Sequence, residues 1–409
     1  MRLLITTAIV AAASLISFLA GQVTRGRSIE IPDAEWTQDS AAGESWRRFA
    51  VSLEAAGARV FQETDDPRER LEGLQYLAQL ASASLEMKVA KGDEANPAFT
   101  DWMGDYRKFL GDSPDAIYKT AEISSEHSYE ITGNRGDTTY LGFMLYGSSL
   151  NGWNRAADNT SSESMTFDAQ GNFRLLLSRE KPAGFEGDWL KLEDDIHMVM
   201  VREYFHQRAT SDAASFNIRR LPAAQFEHPT DQQIASRVDE ATTFFNDTLG
   251  GAIALISMLG KTPNSFDAPK EYNQEFGGIF YPTFDNLYFG GWISPGADQA
   301  IVIEGKAPDV DYWSVSLQNR WMQSFDYAHF NTTLNNKDIE VDASGNYRIV
   351  ISEDQLDEPN WLDMAGNRGG LLSIRYQLAT EGETPKVSLV PMATLSPSEA
   401  GAKTSTPGL

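Results

Sequence analysis

The sequence contains no cysteine, so disulfide bonds, thiolate metal sites and a cysteine nucleophile are all excluded. Basic residues are scarce: 34 lysines and arginines stand against 58 acidic residues, and the net charge is -24. Such a surface repels nucleic-acid phosphates, so we expect no nucleic-acid partner. No local metal, phosphate, dinucleotide or nucleophile-elbow motif is present. We therefore predict neither a metal nor a cofactor.

Long apolar runs are also rare, and the N-terminus has the main one. It reads "MRLLITTAIVAAASLISFLAGQ" and is uncharged from Leu3 to Gln22. This run predicts a secretory signal or a single membrane anchor within residues 1–27. Arg25 and Arg27 follow it and leave the orientation open. We expect a bacterial protein in the periplasm, either released or held at the inner membrane by the uncleaved segment.

Apolar spacings of three and four predict helices in two regions, residues 28–112 and the connector 228–262. The second helix of the first region begins at Asp66-Pro67, because acidic residues and proline suit a helix N-terminus. A third helix is expected near residues 99–110. The stripe predicted to face the core on the second helix consists of Leu71, Leu74, Leu77, Ala78, Ala81, Leu85 and Val89.

Two other regions alternate with a period of two and contain a repeat. Residues 168–180 read "DAQGNFRLLLSRE" and residues 342–354 read "DASGNYRIVISED", with six of thirteen positions identical. Both begin with residues typical of a hairpin turn rather than a calcium loop. Trp189 and Arg202 recur as Trp361 and Arg375 at nearly the same offset.

The repeat predicts an α+β fold with an internal duplication. A helical region, residues 28–112, precedes two antiparallel, jelly-roll-like β-sandwich modules at residues 113–222 and 276–393. The long connector helix separates the modules. A flexible tail, residues 394–409, ends the chain.

The stretch "PNWLDMAGNRGGLLSIRYQLA", residues 359–379, resembles the bacterial family known as domain of unknown function 1214, DUF1214. Members commonly read Asn-Trp-Leu-Asp, then Ala-Gly-His, then Arg-Trp. Here Asn367 replaces the histidine and Tyr376 the tryptophan. The segments "QNRWMQSFDY", "DPRERLEGLQYLAQL", "SPDAIY" and "YEITGNRGDTTYLGF" extend the resemblance over most of residues 45–380. It implies a jelly-roll-like sandwich and no established activity.

The second module has polar groups that the first lacks, and together with Trp361 and Arg375 they supply the candidate ligand-binding residues. Buried ion pairs between strands would explain them plainly, whereas a shared pocket would recognise a carboxylate, a sulfate or sugar hydroxyls. The candidates are Arg320, Trp321, Asp326, His329, Asn360, Trp361, Asp363 and Arg375.

Three functions follow from these candidates. The first is an envelope-associated protein that binds a glycan or an apolar small molecule in the second sandwich. The second is a hydrolase or lyase that uses Asp326, Asp363 or His329 as acid and base, with Arg375 steadying an anion. The third is a structural or interaction protein. Convergence of these side chains into one pocket would separate the first two hypotheses from the third.

Overall fold

The computed structural model describes residues 39–148, 154–266, 281, 283, 286–379 and 381–395. The predicted signal or anchor segment, residues 1–27, lies outside the described residues, as does most of the predicted tail. Across the part of the chain that is described, no helix has the length and apolar character needed to cross a membrane.

The helices begin where the capping residues indicate. Asp66 accepts hydrogen bonds from the backbone N–H groups of Arg68 and Glu69, which confirms the predicted start of the second helix. Thr230 and Gln233 form a capping box at the start of the connector helix. A π-helical turn, Leu85–Ala90, continues the second helix. The bounds are α1 (Ala41–Glu63), α2 (Pro67–Ser84) and α3 (Asp231–Leu259).

The buried face of α2 differs from the predicted stripe. Leu71 and Leu74 are exposed, whereas Tyr76 and Leu80 are fully buried. Both sets have helical spacing, so periodicity alone does not choose between them. The aromatic residue decides, because Tyr76 stacks on Trp321 of the second module with ring centroids 6.1 Å apart.

In the first module, the part of the chain that is described forms nine strands. Residues 99–110 do not form the predicted helix: part of them forms a strand that pairs with the next one, Thr100 opposite Thr120. A short isolated helix is marginal in water, whereas a sheet edge supplies hydrogen-bond partners at once. The strands are β1 (Thr100–Met103), β2 (Ala116–Glu122), β3 (Ser128–Asn134), β4 (Tyr140–Ser148), β5 (Asn154–Ser161), β6 (Asn172–Ser178), β7 (Asp188–Lys191), β8 (Met198–Tyr204) and β9 (Ser215–Leu221).

In the second module the described residues form eight strands, which are followed by a 3-10 turn, Met392–Thr394. They are β10 (Asn286–Ile293), β11 (Gln299–Lys306), β12 (Trp313–Gln318), β13 (Thr333–Asn335), β14 (Asn346–Ser352), β15 (Trp361–Asp363), β16 (Gly370–Gln377) and β17 (Lys386–Pro391).

The two modules share one topology. The first has sheets β1-β2-β8-β4-β5 and β7-β6-β3-β9, and the second has sheets β10-β16-β12-β13 and β15-β14-β11-β17. Apart from the additional β1, each strand of one order corresponds to a strand of the other. In both modules one pair is parallel, β6 with β7 and β14 with β15, and the other pairs are antiparallel. The predicted α+β fold with two sandwiches is confirmed, and the shared order supports the duplication.

The repeated turns are alike in detail. Asp168 accepts hydrogen bonds from the backbone N–H groups of Gln170 and Asn172, and Asp342 does so from Ser344 and Asn346. A glycine with positive φ follows in both, as the hairpin-turn interpretation requires.

One sheet of each module faces the other module. These facing sheets are β1-β2-β8-β4-β5 and β10-β16-β12-β13. The rings of Tyr204 and Tyr312 lie 4.9 Å apart across the junction, and the Asn335 amide donates to the carbonyl oxygen of His206 at 3.0 Å. Helices α1, α2 and α3 pack on the facing sheet of the first module. The side chains between the modules are therefore shielded by protein on several sides.

Candidate functional site

The facing sheet of the second module has a buried polar surface, which we call the polar face. It is formed by Ser314, Ser316, Gln318, Arg375 and Gln377, all at least nine-tenths buried. Strand alternation explains it, because the intervening residues of β12 and β16 point into the sandwich core.

The corresponding surface of the first module is mostly apolar. Arg202 lies opposite Gly142 and Tyr118, just as Arg375 lies opposite Ser314 and Tyr288. Apart from this arginine, the residues at the equivalent positions are Gly142, Met144, Tyr146 and Tyr204. The two copies therefore kept the arginine and diverged around it.

A short segment, residues 108–115, lies on the polar face. Leu110 and Gly111 have φ angles of 51° and 75°. Nη2 of Arg375 donates to the carbonyl oxygens of Gly111 and of Asp112, the latter at 3.3 Å. Nε2 of Gln318 donates to the same oxygen of Asp112, also at 3.3 Å. The guanidinium of Arg375 and the carboxamide of Gln318 are therefore immediate neighbours.

Several polar atoms of this surface have no hydrogen-bond partner among the described residues. They are Nη1 of Arg375, Oε1 of Gln318, Oγ of Ser316 and Nε2 of Gln377. Arg375 is only 6% exposed, and no carboxylate of the described chain forms an ion pair with it. Leaving a buried polar group unpaired costs about 1–3 kcal/mol, and more for a charged group. The arrangement presents both a donor and an acceptor that the described protein groups leave unpaired.

The charge of Arg375 is retained despite its burial. Desolvation acts to lower the pKa of the guanidinium, but the neighbouring Tyr118 and Tyr204 outweigh it and the pKa stays above its ordinary value. Burial raises the pKa of the Asp112 carboxyl, although Lys108 and hydrogen bonds from Ser324 oppose that rise. The polar face therefore has the Arg375 guanidinium at its centre, and the Asp112 carboxyl beside it interacts with that charge.

Arg202 in the first module is different because protein groups occupy its donors. Its Nη2 donates to the hydroxyl of Tyr146 at 2.8 Å and to the carbonyl oxygen of Tyr281 at 2.9 Å. The residue equivalent to Tyr146 in the second module is Gln318. Where the first module has a phenol in contact with its arginine, the second has a carboxamide with a free oxygen.

The 108–115 segment is anchored at the far side of the polar face. The Asp112 carboxylate accepts from the backbone N–H and the hydroxyl of Ser324, at 2.8 and 2.6 Å. Lys108 donates to the Ser324 carbonyl at 3.2 Å and lies 4.1 Å from the centre of the Tyr327 ring. These contacts hold the Gly111 and Asp112 carbonyls in front of Arg375.

A small cleft opens beside Gln377. The centres of water-sized molecules can occupy about 10 Å³ of it, which is room for about one water. Of the residues of the polar face, Gln377 alone lines it. Its lining residues are Thr139, Tyr140, Glu163, Asp311, Tyr312, Gln377 and Leu378.

Two predicted site residues, Arg320 and Trp321, fix helix α2 to the second module. Arg320 forms an ion pair with Glu69 at 2.7 Å. The Trp321 indole N–H donates to the Glu69 carbonyl at 2.8 Å, and the indole is almost fully buried. Both residues therefore have protein partners that explain their position.

The other candidates lie apart from Arg375. Asp326 pairs with His329 at 2.7 Å on an exposed loop. The Asn360 side chain bridges Glu340 and Arg348. Trp361 donates to Ser352 at 2.8 Å, and Asp363 accepts from the Ala365 N–H at 2.7 Å. These last groups belong to the β15-β14-β11-β17 sheet, so the sandwich core separates them from Arg375.

The structure does not bring the eight candidates together, and of them Arg375 alone lies at the polar face. Sequence reasoning missed Ser314, Ser316, Gln318 and Gln377. For Ser314, Ser316 and Gln318 the signal was present in "WSVSLQ", where polar and apolar residues alternate as on a solvated strand. The alternation does not show that the polar side of this strand is covered by the other module.

Among the described residues, no group of three or more histidine, aspartate or glutamate side chains could hold a metal ion. A search of curated proteins finds no match. The chain is similar to an uncharacterised protein from Burkholderia cenocepacia, whose crystal structure superposes with a TM-score of 0.79 at 28% identity. That similarity covers 86% of this chain and 98% of the other. The VPA0106 protein from Vibrio parahaemolyticus gives a TM-score of 0.46 at 14% identity, over 77% and 97% of the two chains.

The family comparison concerns the first module. The assignment of the second module, residues 276–393, to the same family stays a prediction. Residues 119–207 match the family described as "Protein of unknown function (DUF1214)", so the resemblance to DUF1214 is confirmed there.

Proposed function

We propose that this protein binds a small anionic molecule at the polar face of its second module. The observation that carries the proposal is Arg375, a buried guanidinium with a free Nη1 and no carboxylate partner among the described residues. A buried charge is normally paired, and an arginine fork suits a carboxylate or phosphate group. The polar lining favours an acidic ligand, such as an acidic sugar of a glycan, over an apolar one.

The two modules support this proposal by comparison. The first module satisfies Arg202 with Tyr146 and Tyr281, whereas the second leaves part of Arg375 open. Asp326, His329 and Asp363 have partners elsewhere and do not surround Arg375. A binding role therefore fits better than the hydrolase or lyase alternative.

We expect the Arg375→Met variant to lose anion-dependent stabilisation. Small anions such as acetate and phosphate should raise the Tm of the wild-type protein by a few degrees, because a ligand at ten times its Kd contributes about 1.4 kcal/mol. The variant should show no such rise, since it lacks the charge and the Nη1 donor. Thermal unfolding with increasing anion at constant ionic strength measures the effect.

The matched control is Arg368→Met, because Arg368 is 90% exposed and only loosely paired with Asp66. It should respond to anions like the wild type. Equal anion responses in all three proteins would contradict the proposal and favour the structural or interaction role.

We further propose that the protein acts in the cell envelope, on the basis of the apolar run in residues 1–27. Removal of residues 2–27 should leave the protein in the cytosol, whereas the full chain should be found in the periplasmic or inner-membrane fraction. Cell fractionation measures the distribution. Recovery of the full chain in the cytosol would contradict this location.

A further inference from the structure

We infer that the ligand of the polar face is a hydroxy acid, a molecule that has a hydroxyl group beside its carboxylate. This inference rests on the proposed anion-binding function and specifies its ligand. It follows from the unpaired polar atoms around Arg375, because an unpaired donor requires an acceptor from the ligand and an unpaired acceptor requires a donor.

The buried atoms near Arg375 that have no hydrogen-bond partner include both a donor and an acceptor. Nη1 of Arg375 is a charged donor and requires an acceptor, which a carboxylate supplies. Oε1 of Gln318 is an acceptor and requires a donor. The orientation of this carboxamide is fixed, because its nitrogen donates to the Asp112 carbonyl. An ionised carboxylate has only acceptors, so it leaves the Gln318 oxygen unpaired.

The two groups are close enough for one small molecule to reach both. Arg375 and Gln318 donate to the same carbonyl oxygen of Asp112, each at 3.3 Å. Ser316 lies between Ser314 and Gln318 on the same side of β12, and its hydroxyl can donate or accept.

The first module provides an internal precedent for the hydroxyl. There, the phenolic hydroxyl of Tyr146 contacts the arginine Nη2 at 2.8 Å. The second module has Gln318 at the equivalent strand position, which removes that hydroxyl and adds an acceptor. A ligand hydroxyl bonded to Gln318 would restore a similar arrangement beside Arg375.

The test uses lactate, propionate and 1,2-propanediol as probes, because lactate and propionate differ by one hydroxyl. We expect lactate to bind the full-length protein about tenfold more tightly than propionate, since lactate pairs the Gln318 oxygen and propionate does not. The diol, which lacks the charge, should bind least. Titrations that follow thermal stability or heat give the dissociation constants.

The Gln318→Met variant tests the role of the Gln318 oxygen directly, because it removes this acceptor and keeps Arg375. It should abolish the preference for lactate over propionate. If the wild type binds lactate and propionate equally, the hydroxy-acid inference fails and the anion site stands. If neither acid binds in an Arg375-dependent way, the proposed function fails as well.

Discussion

Replacing Trp321 with alanine is expected to lower the free energy of unfolding by about 3–5 kcal/mol. The indole is 1% exposed, stacks on Tyr76 of α2, and donates to the Glu69 carbonyl at 2.8 Å. Its removal leaves a cavity between the helices and the second module and frees a buried carbonyl. Denaturant unfolding followed by circular dichroism measures the loss.

Two comparisons sharpen this prediction. Trp46→Ala removes a half-exposed indole from α1 and should cost much less. A methyl group at Gly73 would lie 2.7 Å from the Trp321 ring, so Gly73→Ala should be costly in the wild type and less costly beside Trp321→Ala. Equal stability of the Trp46 and Trp321 variants would contradict the packing described.

Replacing Glu203 with glutamine is expected to stabilise the protein by about 3 kcal/mol at pH 8 and to have little effect at pH 4. Glu203 lies on the core side of β8, fully buried, and burial raises its pKa from 4.5 to about 7. The folded state therefore binds a proton more tightly than the unfolded state does. Wild-type stability should fall as the pH rises from 4.5 to 7, and the variant removes that decline.

The hydrogen bond to Glu203 explains the choice of glutamine. One carboxylate oxygen accepts from the Ala214 N–H at 2.7 Å, and a glutamine oxygen preserves this bond. The other oxygen has no partner among the described residues, so the charge gains little there. Free energies of unfolding at pH 4, 6 and 8 test the prediction. A Glu203→Gln variant that is less stable than the wild type at pH 8 would overturn it.

Glu130 in the same module is the matched control with the opposite sign. Burial alone would raise its pKa, but hydrogen bonds from Arg219 and Arg174 hold the pKa below its ordinary value. This carboxylate stabilises the fold above its unfolded pKa, and the contribution is lost as the pH falls through the lowered folded pKa. Glu130→Gln should therefore destabilise the protein at pH 8.

The sequence predicted the elements that have strong local signals. β6 and β14 lie within the two repeated segments, residues 168–180 and 342–354, because turn residues mark where each strand begins. The start of α2 at Asp66-Pro67 was also predicted, since capping depends on neighbouring residues alone. Short strands such as β7 and β13 were missed, because three or four residues give too little periodicity.

The candidate site was predicted only through Arg375. The environment of Arg375 depends on the carbonyl groups of Gly111 and Asp112, which lie more than 260 positions earlier in the chain. No local pattern encodes such a contact. Trp321 shows the reverse case, because an aromatic residue beside Arg320 suggested a ligand and the partner was helix α2.

The region that matches the family, residues 119–207, does not include all the strands of the first module. Residues 119–207 begin inside β2 and end before β9, which pairs along β3 with Ile131 opposite Ile218. A fragment cut to those limits would expose the hydrogen-bonding edge of β3 and the aromatic surface around Tyr204. We expect such a fragment to aggregate rather than fold. The matched region is smaller than the packed unit, which includes the helices and both modules.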